Sequence, residues 1–81
     1  MYTLKFYYAG TMSKFDEKKG TFDECKNELF EQICFKIGCT GEVSSWQELD
    51  QWASSHDRFV SWSPKKDFAS VENYRYEIVK E

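Results

Sequence analysis

The 81-residue chain has one proline, one histidine, four glycines and three cysteines. Each scarcity excludes something. Three cysteines are a poor disulfide framework, because an odd count leaves a thiol over. Cys25 and Cys34 stand nine residues apart on one predicted helix. That is ~13 Å at helical rise and on opposite sides, so they cannot pair within it. There is no Cys-x-x-Cys knuckle to join Cys25, Cys34, Cys39 and His56 into a zinc site. No apolar run approaches the length that spans a membrane. No basic and apolar leader stands ahead of the first strand pattern, so the expected compartment is the cytosol.

The signatures of catalysis are missing as well. The chain has no phosphate-binding loop, no Gly-rich dinucleotide turn, no nucleophile elbow and no His-Glu-x-x-His. Ser55-His56-Asp57 contains three triad residue types in a row. A triad needs such residues converging from separate segments, which neighbours at a helix end cannot do. The sequence therefore predicts a protein that is not an enzyme, with no catalytic residue, cofactor or metal.

What is abundant is aromatic: seven Phe, five Tyr and three Trp. Large aromatics carry the greatest hydrophobic payload per residue, which a single small domain needs in order to fold. The expected net stability is about 4–8 kcal/mol. Left exposed, the same residues anchor binding interfaces.

Residues 2–9 alternate as a half-buried strand, with Tyr2, Leu4, Phe6 and Tyr8 on one face and Thr3, Lys5 and Tyr7 on the other. Gly10 ends it. Residues 10–20 read as a polar loop with room for a short strand around Lys14–Asp16. Thr21-Phe22-Asp23-Glu24 is a capping box, and a helix should follow to about Ile37, where Gly38 stops it. Ser45-Trp46-Gln47-Glu48 is a second box, opening a helix to about Ser55. Arg58–Trp62 reads as a strand, Ser63–Asp67 as a turn, and Phe68–Glu72 fits loop and strand equally. Asn73–Lys80 alternates again. The expected fold is α+β in the order β-α-α-β-β: a three-stranded antiparallel sheet, its last two strands a hairpin, with both helices on one face.

Net charge is −3, unevenly spread. Residues 42–57 carry Glu42, Glu48, Asp50 and Asp57 with no Lys or Arg. With Glu28 and Glu31 these form a candidate anionic surface over both helices, an electrostatic mate for a basic one. The aromatics most expected beside it as exposed anchors are Trp62 and Tyr7. Lys5, Tyr7, Arg58, Trp62, Arg75 and Tyr76 suggest a second reading, bases stacked on an open sheet. The acidic balance and the absence of an RNA-recognition signature argue against it, so direct nucleic-acid contact is not expected. A third reading is an accessory subunit that self-associates through the open face.

The capped segment Ser45-Trp46-Gln47-Glu48-Leu49-Asp50-Gln51-Trp52-Ala53, in a short acidic chain, resembles the small inhibitor proteins of phages and mobile elements, the anti-CRISPR type among them. The resemblance covers size, charge and layout. It implies a mode of action: a monomer or homodimer in the host cytosol occupies the nucleic-acid-binding surface of a bacterial nuclease or surveillance complex, with carboxylates on its Lys and Arg.

Overall fold

A computed structural model describes residues 1–8 and 14–81, with the backbone alone for 14–16. The expected end of the first strand at Gly10 lies outside the described residues. Seven elements follow one another: β1 (Tyr2–Tyr8), β2 (Lys14–Gly20), α1 (Phe22–Ile37), α2 (Trp46–Ser55), β3 (Val60–Trp62), β4 (Phe68–Val71) and β5 (Tyr74–Lys80). The strands form one antiparallel sheet in the order β2-β1-β5-β4-β3.

The α+β class stands, but the three-stranded sheet is corrected to five strands. The two additional strands are β2, in the stretch that reads as a polar loop with room for a short strand, and β4, in the stretch that fits loop and strand equally. β2 has no apolar alternation because it is an edge strand: Lys18 and Lys19 face water. β4 is short, and its apolar face consists only of Ala69 and Val71. The expected hairpin of the last two strands is corrected too. β4 lies between β3 and β5, joined to β5 through Glu72 and Asn73, with Glu72 at φ 51°. The positive φ suits a two-residue hairpin turn.

The helices form where capping and periodicity agree. Thr21 Oγ1 accepts from the Glu24 amide at 3.1 Å, and Glu24 returns a bond to the Thr21 amide at 2.8 Å. α1 ends on Gly38 at φ 87°, a left-handed conformation that glycine adopts without a Cβ penalty. A Cβ at Gly20 would meet Glu24 Oε1 at 2.9 Å, so a larger residue there would have to push aside the carboxylate that closes the capping box. The second capping box closes differently from expectation. Ser45 Oγ accepts from the Glu48 amide, but the Glu48 carboxylate reaches back to the amide and hydroxyl of Ser44, at 2.7 and 2.8 Å.

One core joins the helices to one sheet face. Cys25, Leu29 and Ile33 of α1 and Leu49 and Ala53 of α2 pack with Leu4, Phe6, Ala69, Val71, Tyr76 and Ile78. Edge-to-face aromatic contacts run Phe30–Trp46–Trp62, at ring separations of 5.3 and 5.1 Å, and so stitch α1, α2 and β3 together. This corrects the expectation that Trp62 is an exposed anchor: its side chain lies on the helix face, half-buried against Trp46. Phe59, within the stretch that reads as a strand, is 73% exposed. It precedes the short β3 and has no sheet partner opposite it.

Candidate functional site

The six candidate carboxylates divide by what each already holds. Glu48 is a helix cap, and the Ser44 hydrogen bonds hold its carboxyl below the usual range. Glu28 is half-buried, accepts from Gln32 Nε2 at 2.9 Å and lies 3.5 Å from Lys18 Nζ. Glu42 is exposed and lies 3.4 Å from the Trp52 indole nitrogen. Glu31, Asp50 and Asp57 are exposed, and make no ion pair or side-chain hydrogen bond with another described residue. Asp57 sits in the turn after α2 at φ 55°. Asp50 faces β3, lining a groove with Val60, Ser61 and Trp62. The acidic residues thus do not form one continuous patch.

Glu28 and Glu31 do share a feature with apolar residues. The outer side of α1 and the loop after it enclose a groove of about 550 Å³. Glu28, Glu31 and Gln32 line it together with Phe30, Cys34, Phe35, Thr40, Gly41 and Val43. Phe35 is 70% exposed. It sits on the side of α1 away from the core, which its helical position already indicates, and it has Glu31 one turn earlier. An exposed aromatic beside an unpaired carboxylate can anchor an apolar and basic surface. Sequence reasoning did not foresee the other wall. The loop supplies that wall through Thr40, Gly41 and Val43, in a stretch that reads only as the connection between the two helices, where no periodicity marks a residue as lining a groove.

Of the three cysteines, only Cys34 lines this groove. All three are free and buried. Cys25 turns toward β1, while Cys34 turns the other way, toward Cys39, with which it shares a thiol hydrogen bond. Burial pushes the Cys34 thiol up to about 12 and raises Cys25 and Cys39 as well. Buried thiols of this kind are poor nucleophiles and poor metal ligands. Among the described residues no group of three or more His, Cys, Asp or Glu could hold a metal ion.

His56 stacks on Trp52 at 3.9 Å, and its Nδ1 lies 2.8 Å from the Trp52 carbonyl and 3.0 Å from Ser55 Oγ. Ser55 donates to the same carbonyl at 3.0 Å. These contacts finish the helix and do not activate the hydroxyl.

On the sheet face away from the helices, Tyr7 is half-buried with the Arg75 guanidinium 4.6 Å over its ring. Lys5 stands between Glu17 and Glu77 across the ladders. Arg75 Nε lies 3.9 Å from Glu77, and Lys19 Nζ 3.4 Å from Glu81. Thr3 is buried there, its hydroxyl donating to Glu81. Cations and carboxylates therefore alternate over this face. Phe68 adds an exposed edge, whereas the side chain of Phe15 lies outside the described residues.

No protein-family model matches the chain, and no curated protein or solved structure matches it. No helix among the described residues is long and apolar enough to cross a membrane.

Proposed function

We propose that the protein is a non-catalytic binding module whose outer helical layer occupies a basic surface of a partner protein. The observation that carries this reading is the α1 groove, where exposed Phe35 stands beside the unpaired carboxylate of Glu31. Phe35 is the apolar anchor, Glu31 the charge that selects Lys or Arg, and Glu42 and Asp57 add long-range attraction. Glu48 and Trp62 are reassigned to structural work. In the mode implied by the inhibitor-like layout, the basic surface belongs to a nucleic-acid-handling complex of a bacterial host, and the module blocks it stoichiometrically.

The nucleic-acid reading has weaker support. It needs the open face to attract phosphates, yet Lys5, Lys19 and Arg75 each already face a carboxylate. Phosphate contacts would have to displace those carboxylates first.

The test is affinity capture from bacterial lysate at low and raised salt, comparing the wild-type protein with Glu31→Lys/Glu42→Lys/Phe35→Ala. Wild type should retain a nucleic-acid-binding protein in a salt-sensitive manner, and the triple variant should lose it while keeping its circular dichroism spectrum. Recovery of RNA alone, or equal capture by the variant, rules the reading out.

A further inference from the structure

The two edges of the sheet are built differently. β2 carries Lys14, Glu17, Lys18 and Lys19. Charge on an exposed edge, lysine above all, deters further strands. β3, at the opposite edge, is Val60-Ser61-Trp62 and carries no charge.

The ladder fixes which β3 backbone groups point outward. Ser63 N–H donates to the Phe68 carbonyl at 2.9 Å, so residues 63 and 68 form a hydrogen-bonded pair. Such pairs alternate with non-bonded ones in an antiparallel ladder. Ser61 therefore bonds to β4 through Ser70, while Val60 and Trp62 direct their N–H and C=O groups away from the sheet. The next ladder agrees. Ile78 N–H donates to the Asp67 carbonyl at 2.8 Å, which commits residues 67, 69 and 71 to β5 and leaves 68 and 70 for β3. The outward groups of Val60 and Trp62 have no partner among the described residues. Unpaired groups in this array are a template for one more strand.

The charges around the edge are mixed but segregated: Arg58 is bonded to Glu72, Lys65 and Lys66 lie in the turn beyond Trp62 beside Trp46, and the carboxylates without a partner among the described residues stand along the groove and ahead of Val60. Asp50 overlooks the edge from α2 across a shallow groove of about 300 Å³. Asp57 lies three residues ahead of β3, and exposed Phe59 immediately ahead of it. A second copy pairing β3 with β3 about a two-fold axis would bring four carboxylates to one seam, which like-charge repulsion opposes. An extended cationic segment would instead place its charges against Asp50 and Asp57.

We propose that β3 accepts an extended segment of another protein as a sixth strand, with Lys or Arg at the alternate positions that face the helical layer. This surface is separate from the Phe35 groove and does not depend on it.

The experiment uses a labelled peptide of alternating Lys and Val, seven residues long. It is compared with its Glu-for-Lys counterpart and with the same Lys peptide N-methylated along its central residues. Binding is read by fluorescence anisotropy, and its location by backbone amide shifts. The Lys peptide should bind and shift the Val60 and Trp62 amides. N-methylation keeps the charge but removes strand pairing, and should weaken binding about tenfold or more; Asp50→Lys, at an exposed position, should do the same. Phe35→Ala with Glu31→Lys should leave it unchanged, which separates this site from the groove. Equal binding of the N-methylated peptide, shifts elsewhere, no binding at millimolar peptide, or dimerisation through β3 in sedimentation equilibrium each overturns the proposal.

Discussion

Tyr76 shows how a single group is placed against its own preference. It is fully buried beneath α1, edge-on to Phe6 at 5.4 Å, and its hydroxyl has no hydrogen-bond partner among the described residues. Burial pushes the phenol up to about 12. A buried hydroxyl without a partner costs its desolvation, so Tyr76→Phe should be neutral or stabilising by up to about 1–2 kcal/mol in chemical denaturation. A loss of stability on that change would mean that the hydroxyl is bonded. The cap carboxylates make a second residue-scale prediction. Hydrogen bonds hold Glu24 and Glu48 below their ordinary 4.5, and the Thr3 hydroxyl with Lys19 does the same for Glu81. Groups depressed in the folded state contribute stability that is complete above the unfolded value and lost as pH falls through the folded one. Melting temperature should therefore hold level down to about pH 5 and fall below it. Thr21→Ala should reduce the acid-sensitive part, because it removes the hydroxyl that helps hold Glu24.

At the scale of elements, the helices were legible and the sheet was only partly so. α1 and α2 announce themselves by cap, periodic stripe and stop, all of which are local. β1 and β5 alternate because one of their faces is buried and the other wet. β2 gives no such signal, since both its neighbour and its bulge are tertiary facts: the register slips between Phe6 and Tyr7, where Asp16 and then Lys14 stand opposite. β4 is legible only once β5 is in place beside it. Among the site residues, Phe35 was visible from its helical angle. Trp62 was not, because a three-residue strand does not say which face meets a helix. Its actual role predicts that Trp62→Ala acts on stability rather than on binding alone. The loss should be about 2–3 kcal/mol, below the range for a fully buried Trp because this one is half-exposed. The near-UV circular dichroism of the Trp46–Trp62 pair should collapse with it. A variant as stable as wild type would remove Trp62 from the core.

Across the whole molecule, charge and layers align. The sheet's outer face alternates cations with carboxylates, whereas the free carboxylates gather in and around the helical layer and its margins. Long-range attraction of a basic partner therefore favours approach from that side. The strand order carries a further consequence. The middle of the sheet is the β1–β5 ladder, which joins Tyr2 to Lys80 and Tyr8 to Tyr74, and the Glu81 amide donates to the Met1 carbonyl at 3.0 Å. The most central pairing thus unites the segments furthest apart along the chain. During synthesis β1 waits, paired on one side only, until everything between has left the ribosome. Closing that long loop costs entropy that the locally paired strands and capped helices do not offset, which places this pairing late in folding. Until β5 arrives, Leu4 and Phe6 have half of their lining missing, and the nascent chain carries an open sheet where the finished protein has its centre.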